Sequence, residues 1–270
     1  MTPISGHTRI FGILADPIHH VRTPQVMNAA FGDAGADAVL VPMHVQPSDL
    51  PAFVQALRSM QNFGGANITI PHKEAILPLC DTLNDTARIA GAVNVIQRGA
   101  DGSIHGFNYD GHGFVAGLKA AGHDPGGKRV LLVGAGGAGK AIAVQVAENG
   151  AGYLGIANRT QAKAEALAGQ INAHLDCSVA AAVADDPGGY DIVINATSLG
   201  MRPQDPLPFD PAALDPGAVV AEVIMTPEVT PVMAAAAARG NPTHPGLPML
   251  TEQVKIFLEL YGVSSSTPLA

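Results

Sequence analysis

Short apolar runs alternate with helical patterns in the first half of the chain. Residues 9–14, 38–45 and 66–70 form β-rich runs, and each is followed by a proline or a polar residue and then by apolar residues at helical spacing. Helices are expected to begin at Thr23-Pro24 and at Ile70-Pro71, because the N–H that proline lacks would be unpaired in the first turn of a helix anyway. The pattern predicts an α/β domain.

Longer apolar runs occupy the second half. Residues 128–133, 153–157, 191–196 and 218–224 are almost continuously apolar, which is typical of parallel strands buried on both faces. Together they predict a doubly wound sheet. A final helix over residues 248–262 follows a segment rich in proline and glycine, and we expect it to return to the first domain.

Composition and charge narrow the classes of protein. Of the 270 residues, 47% are hydrophobic and 14% are charged, as in ordinary globular proteins. The formal net charge of -8 and the lack of any lysine or arginine run argue against a nucleic-acid surface, because phosphate binding needs clustered positive charge. A small-molecule partner is the better expectation.

Cysteine usage and the N-terminus predict the compartment. Only Cys80 and Cys177 are present, and neither has a neighbouring cysteine with which to build a disulfide framework. The N-terminus lacks a basic region followed by a long apolar run, and the alanine-rich residues 233–238 are far fewer than the about 20 that a bilayer span requires. We therefore expect a cytoplasmic protein without a membrane partner.

A glycine-rich segment links the run at 128–133 to an alanine-rich helical pattern. It matches G-x-G-x-x-G in the strand-to-helix context of a dinucleotide-binding fold. The glycines permit a tight turn, so that a pyrophosphate can approach the N–H groups at the positive end of the helix. The residues expected to bind the cofactor here are Gly134, Gly136, Gly137, Ala138 and Gly139.

The same segment nearly matches a nucleoside triphosphate loop, since Gly134 to Lys140 fits G-x-x-x-x-G-K. Ala141 argues against that function, because the following position must supply a hydroxyl oxygen to magnesium. A purely structural glycine turn is the remaining alternative.

The residues after the second strand of this sheet predict the type of dinucleotide. An NAD enzyme usually places Asp or Glu beside the ribose 2′-hydroxyl. This chain has Asn158, Arg159 and Thr160 there, followed by Lys163. A guanidinium pairs with a 2′-phosphate that a carboxylate would repel, so NADP is favoured over NAD. Taken alone, Arg159 is at least as well explained as part of a solvated loop.

Eight segments, in order along nearly the whole chain, resemble the shikimate and quinate dehydrogenase family. They are GILADPIHHVRTPQVMNAAF (12–31), NITIPHK (67–73), GAVN (91–94), GFNYDGHG (106–113), GAGGAGKA (134–141), NRT (158–160), NATSLG (195–200) and GLPMLTEQVKIFLELYG (246–262). The resemblance implies a substrate-binding and catalytic domain at residues 1–112, to which residues 242–270 return, and a Rossmann dinucleotide-binding domain at residues 113–241.

The resemblance implies that Lys73 is the catalytic lysine and that Asp110 is its partner carboxylate. When a hydride reaches a carbonyl carbon, the oxygen becomes an alkoxide, which an ammonium held by a carboxylate can stabilise and protonate. In the reverse direction Lys73 would take the proton of the alcohol. Without the resemblance, Lys73 reads as a solvated helix residue and Asp110 as a turn or a cap.

Further ligands follow from the same residue-by-residue comparison. The implied ligands are Thr23, Thr69, Asn94 and Gln253 for the substrate, and Thr197 and Ser198 for the cofactor. Their structural alternatives are a strand threonine, an Asx turn, a surface glutamine and a helix cap.

Four positions depart from the family's pattern, and one of them is Val95, which replaces a common threonine after GAVN. The family holds the substrate carboxylate with two hydroxyl residues and a tyrosine, whereas Val21 replaces the first hydroxyl and Met225 lies where the tyrosine is expected. Tyr109 replaces the usual threonine before Asp110. Arg22 either supplies a new carboxylate contact or faces solvent. Because the catalytic pair is kept while the pocket is altered, the pattern indicates a paralogue whose substrate differs from shikimate.

The sequence thus predicts an NADP-dependent dehydrogenase that acts reversibly on a shikimate-like ring alcohol or ketone, with a small hydroaromatic molecule as its partner. A shikimate or quinate dehydrogenase proper is one alternative. A ligand-binding paralogue without turnover is another, although such a protein has no need of the Lys73 and Asp110 pair. No metal is expected, since none of the ten histidines has metal-ligand spacing such as H-E-x-x-H. We expect a monomer or a homodimer.

Overall fold

The computed structural model describes residues 4–19 and 21–263. The chain divides into two compact units. One comprises the residues up to 109 together with those from 253 onward, and the other comprises residues 110–252. No helix within the described ranges combines the length and the apolar character needed to cross a membrane.

The first unit is built on a six-stranded mixed sheet. Its strands are β1 (Arg9–Ala15), β2 (Ala38–His44), β3 (Phe63–Ile68), β4 (Thr82–Leu83), β5 (Val95–Arg98) and β6 (Ile104–Phe107). Their order is β2-β1-β3-β5-β6-β4, with β1 parallel to β2 and β3, and β5 antiparallel to β3 and β6. The helices are α1 (Thr23–Asp33), α2 (Leu50–Ser59), α3 (His72–Ala75) and α4 (Asp85–Ala90).

The second unit is built on a six-stranded parallel sheet. To name its elements in chain order, α5 spans Asp110–Ala120, followed by β7 (Arg129–Val133), α6 (Gly137–Glu148), β8 (Tyr153–Ala157), α7 (Gln161–Leu175), β9 (Ala180–Ala182), β10 (Ile192–Asn195), β11 (Val219–Glu222), α8 (Pro231–Ala238) and β12 (Thr243–His244). The order β9-β8-β7-β10-β11-β12 is the Rossmann order, and every pairing is parallel. The predicted doubly wound sheet is confirmed.

This strand order creates a switch point between β7 and β10. The chain leaves β7 toward β8 on one side and reaches β10 on the other, so the loops at the carboxyl ends of these two strands diverge. Ligands of open α/β sheets bind at such a point. The interiors of both strands are fully buried, because each apolar side chain packs on one face or the other of the sheet.

Two predicted boundaries in the first unit are wrong. The strand expected at residues 66–70 starts earlier, because Phe63 already pairs with β1. It also ends earlier, because the carbonyl of Thr69 accepts a hydrogen bond from the N–H of His72 at 2.9 Å and the chain turns into α3. Pro71 therefore precedes that helix instead of occupying its first turn.

The limits of the compact units also differ from the expected boundaries at 112 and 242. The segment after 242 contributes β12, which pairs with β11 in the second sheet. The helix α5 begins at Asp110 and packs closely on α6 within the second unit. A Cβ added to Gly111 would lie 2.2 Å from the carbonyl oxygen of Ala141.

The last helix, α9 (Leu247–Leu260), joins the first unit from Gln253 onward, which confirms the predicted return. Phe257 and Tyr261 belong to the buried apolar cluster that contains Phe11, and the ring centroids of Phe11 and Tyr261 are 4.2 Å apart. The Tyr261 hydroxyl donates a hydrogen bond to Oδ1 of Asn67 at 3.2 Å. Burial raises the pKa of the Tyr261 hydroxyl above its usual value.

This burial predicts a specific loss of stability at high pH. The folded protein keeps Tyr261 protonated, whereas the unfolded chain ionises it near pH 10. The stabilisation is therefore fully present below pH 10 and is lost as the pH rises further. From pH 8 to pH 11, the free energy of unfolding of the wild type should fall by about 1.4 kcal/mol more than that of Tyr261→Phe. Urea unfolding measures both, and parallel pH dependences would contradict the assignment.

Candidate functional site

The glycine-rich turn between β7 and α6 is built by close contacts. Gly134 has a φ of 111°, which favours glycine, and a Cβ added to Gly139 would lie 2.0 Å from the Gly134 carbonyl oxygen. Gly136 precedes the 12-residue α6, makes no side-chain cap, and has open space where a Cβ would be. The first N–H groups of α6 therefore have no side-chain acceptor, and they fit a phosphate group.

Asn158 ties the end of β8 to this turn. Its Oδ1 accepts a hydrogen bond from the N–H of Ala135 at 3.0 Å, and its Nδ2 donates to the carbonyl of Thr160 at 2.9 Å. Both functional groups of the amide are therefore engaged with backbone. Arg159, Thr160 and Lys163 are exposed at the same edge of the sheet. Asn158 therefore shapes the loop, and Arg159 is exposed beside it.

The turn after β10 lies directly against the glycine-rich turn. A Cβ added to Gly134 would lie 2.8 Å from the carbonyl carbon of Ala196 and 2.9 Å from Cγ2 of Thr197. Asn195 shapes this turn, because its Oδ1 accepts hydrogen bonds from the N–H of Thr197 at 3.1 Å and from its hydroxyl at 2.7 Å. Thr197 is half-buried and Ser198 is exposed, so both lie at the edge where a cofactor is expected.

Glu222, at the end of β11, was not identified from the sequence. Its Oε1 accepts hydrogen bonds from the N–H groups of Val223 and Ile224, and its Oε2 accepts from Nδ2 of Asn195 and the hydroxyl of Thr230. Burial raises the pKa of this carboxyl, and the four hydrogen bonds oppose that rise. The available signal was a single acidic residue in an otherwise apolar strand, because such a residue needs buried partners.

In the first unit, several predicted substrate ligands gather near the ends of β3 and β5. The N–H of Thr69 donates to the carbonyl of Leu14 at 3.1 Å, and the carbonyl of Lys73 accepts from the N–H of Val93 at 2.8 Å. This second bond places the backbone of Lys73 next to the segment that carries Asn94. Lys73 is half-buried at the start of the short helix α3.

Asn94 and Gln253 form a buried amide pair. Nδ2 of Asn94 donates to Oε1 of Gln253 at 3.4 Å, and Oδ1 of Asn94 accepts from the N–H of Tyr109 at 2.9 Å. Each amide side chain is only 4% exposed. Amide side chains can both donate to and accept from hydroxyl groups.

His72 anchors the short helix α3, which also carries Lys73. His72 is completely buried, and its Nε2 donates a hydrogen bond to the carbonyl of Val45 at 2.8 Å. This bond fixes α3 to the end of β2. The structure thus assigns His72 to anchoring the helix, which carries Lys73 as its next residue.

Two of the positions that depart from the family's pattern lie in apolar surroundings. Val21 and Tyr109 pack against the buried apolar cluster of Phe11, and the rings of Tyr109 and Phe107 stack with centroids 5.8 Å apart. Burial raises the pKa of the Tyr109 hydroxyl. Thr23 is buried as the first residue of α1.

Asp110 is buried as the first residue of α5, where a carboxylate is favoured by the helix dipole. Asp110 belongs to the second compact unit and Lys73 to the first. Among residues 4–19 and 21–263, no group of three or more histidine, cysteine or acidic side chains is arranged to hold a metal ion.

Comparison with known proteins identifies the family. A family model described as "Shikimate dehydrogenase substrate binding domain" matches residues 13–96, and one described as "Shikimate / quinate 5-dehydrogenase" matches residues 118–201. The shikimate dehydrogenase (NADP+) of Rubrobacter xylanophilus is 41% identical over 254 residues, which are 93% of this chain and 89% of that protein. The chain belongs to the shikimate dehydrogenase family.

Solved structures of shikimate dehydrogenase relatives share the fold. The shikimate 5-dehydrogenase of Listeria monocytogenes, solved with shikimate and NAD, has a TM-score of 0.88 and 33% identity, and the match covers 98% of this chain and 95% of that one. The 5-ketofructose reductase of Gluconobacter sp. strain CHM43 has a TM-score of 0.85 and 36% identity, covering 95% and 94%. The similar structures therefore include a protein that is named for a ketose.

Proposed function

We propose that this chain is an NADP-dependent dehydrogenase that transfers a hydride reversibly between the nicotinamide and a shikimate-like ring alcohol or ketone. It is an oxidoreductase that acts on a CH–OH group. The proposal rests on the N-terminus of α6, which has no side-chain cap. The close contact of Gly134 with Gly139 forms the turn into this helix, and Arg159 is exposed after the neighbouring strand β8.

The cofactor is held by groups of the second unit. When bound, NADP supplies the nicotinamide that accepts or releases the hydride. The free N–H groups at the start of α6 bind the pyrophosphate. Arg159 and Lys163 pair with the 2′-phosphate, since both are cationic and exposed beside Asn158. Thr197 and Ser198 border the opposite half of the cofactor.

Proton transfer falls to Lys73 and Asp110. During reduction, Nζ of Lys73 gives its proton to the substrate oxygen as the negative charge develops there. During oxidation the same nitrogen takes the hydroxyl proton. Asp110 is the proposed partner carboxylate of the Lys73 ammonium in this step.

The substrate is held by polar groups of the first unit. The Asn94 and Gln253 pair donates to and accepts from ring hydroxyls, because both amides are buried and already oriented by each other and by the backbone of Tyr109. Thr69 and Thr23 add hydroxyl groups. Buried polar groups of this kind reject ligands that leave them unpaired, so the pocket requires a hydroxylated ligand.

A second candidate substrate is an uncharged ketose. Val21 contributes to an apolar cluster rather than offering a hydroxyl, and Met225 has no donor either, so a substrate carboxylate would lack two of its expected partners. The similarity to 5-ketofructose reductase, at 36% identity, supports this candidate independently. The two candidates share the hydride and proton steps and differ only in what the pocket must recognise.

Substitution of Lys73 tests the proposed function. Lys73→Met should lower kcat by about 10²–10⁴-fold on the best substrate, because a positioned acid–base group contributes that much. Asp110→Asn should affect the same step. The affinity for NADP+ should stay unchanged in both variants, as measured by calorimetry.

Lys119→Met, which alters an exposed lysine bonded to Asn149, is the matched control and should keep full activity. Wild-type kcat in Lys73→Met would refute the assignment, and no turnover of any tested substrate by the wild type would favour a ligand-binding paralogue.

The altered pocket predicts a high KM for shikimate. Each lost hydrogen bond to a carboxylate is worth about 1.5–3 kcal/mol, so two losses raise KM by about 10²–10⁴-fold. Val21→Ser combined with Met225→Tyr should lower KM for shikimate more than it raises kcat, because the restored contacts bind ground and transition states alike. Turnover of shikimate, quinate and 5-ketofructose is followed by nicotinamide absorbance.

Val21→Ala is the control for this experiment, since it removes the same methyl groups without adding a donor. It should leave KM for shikimate unimproved. A KM for shikimate already in the micromolar range in the unmodified chain would contradict the prediction and favour a shikimate dehydrogenase proper.

A further inference from the structure

We propose that Glu222 is a positioning residue for the nicotinamide half of the cofactor, acting through Asn195 to hold Thr197 and Ser198 against the glycine-rich turn. The inference rests on the proposed function, because it assumes that a dinucleotide binds at this edge. Glu222 itself is completely buried and reaches the cofactor edge only through its neighbours.

The partners of Glu222 are mostly groups that donate hydrogen bonds to its carboxyl oxygens. Oε1 accepts from the N–H groups of Val223 at 2.8 Å and Ile224 at 3.0 Å. Oε2 accepts from Nδ2 of Asn195 and from Oγ1 of Thr230, each at 2.9 Å. Three of these four partners are N–H groups, which can only donate. A proton on the carboxyl would therefore have only the Thr230 hydroxyl as an acceptor.

The accepting oxygen of Glu222 determines the orientation of the Asn195 amide. Nδ2 must face Glu222, because Oδ1 in that place would set oxygen against oxygen. With Nδ2 so placed, Oδ1 faces Thr197 and accepts from both its N–H and its hydroxyl. Nδ2 also donates to the carbonyl of Leu199 at 3.0 Å, so one amide closes the whole turn. The orientation of a single amide thus decides the shape of the turn that carries Thr197 and Ser198.

The turn lies on the side of the sheet that binds the nicotinamide half. In a Rossmann sheet each half binds one mononucleotide, and β7 with β8 carries the adenosine half. β10 and β11 lie across the switch point from β8. Asn195 ends β10 and Glu222 ends β11, so their network belongs to the second half and is separate from Arg159.

Glu222→Gln tests the inference with almost no change in shape. In this variant the NH₂ group of the new glutamine faces Nδ2 of Asn195. Asn195 can relieve that clash by rotating its amide so that Oδ1 faces the glutamine. Its own NH₂ group then faces the N–H and the hydroxyl of Thr197, which are both donors. We expect the dissociation constant of NADP+ to rise by at least about tenfold, as for the loss of a charge-assisted hydrogen bond. Adenosine 2′,5′-bisphosphate, which occupies only the adenosine half, should bind within about twofold of the wild type.

Thr230→Val is the matched control. It removes one hydrogen bond to the same carboxylate and leaves the amide of Asn195 in place. Thermal unfolding should show a loss of stability comparable to that of Glu222→Gln, whereas the affinities for both ligands should stay within about twofold of the wild type. If Glu222→Gln does not fold, Asn195→Ser removes the amide itself and should give the same selective loss of NADP+ binding.

Calorimetry with the two ligands separates the outcomes. Weaker NADP+ binding with unchanged bisphosphate binding, seen in Glu222→Gln or Asn195→Ser and absent from Thr230→Val, supports the inference. Unchanged NADP+ binding, equal weakening of both ligands, or an equal effect of Thr230→Val overturns it. A wild type that binds neither ligand overturns the proposed function instead.

Discussion

The contact between Gly134 and Gly139 is the constraint on which the cofactor edge depends. Only a hydrogen atom at position 139 allows the carbonyl of Gly134 to lie where it does, since a Cβ there would approach it to 2.0 Å. This contact lets the chain turn from β7 into α6 without a long loop. The N–H groups of α6 therefore face the carboxyl end of the sheet directly, and the turn after β10 packs against Gly134 from the other side.

Polar side chains also shape the two turns at the cofactor edge. Asn158 fastens the turn on the β8 side, and Asn195, held by Glu222, shapes the segment on the β10 side. Each uses an amide whose two ends are satisfied differently, which is why neither position could be filled by an apolar residue of similar size. Arg159 and Ser198 are exposed at these two edges.

Much of this fold could be predicted from the chain, for a physical reason. Buried parallel strands are apolar on both faces, so residues 128–133, 153–157, 191–196 and 218–224 were visible as runs. The strands β9 and β12 were not, because three alanines or two residues form no run. The antiparallel pair β5 and β6 was not predicted either, because its sequences VIQR and IHGF contain polar residues and glycine and form no continuous apolar run.

The candidate site divides in the same way. The glycine motif has a sequence signature because its spacing is set by local geometry, and Lys73 and Asp110 entered through family resemblance. Glu222 was missed because its partners Asn195 and Thr230 are assembled by the pairing of β10 with β11, and pairing between distant segments leaves no local pattern. The second compact unit extends past residue 242 because β12 pairs with β11, and this pairing also leaves no local pattern.

The central claim is that this edge of the sheet binds NADP in preference to NAD, through the cationic group after β8. Titration calorimetry with NADP+ and NAD+, on the wild type and on Arg159→Ala, tests it most directly. The account predicts tighter binding of NADP+ by the wild type, and a loss of about tenfold or more for NADP+ alone in the variant. Equal or tighter binding of NAD+ by the wild type would contradict it.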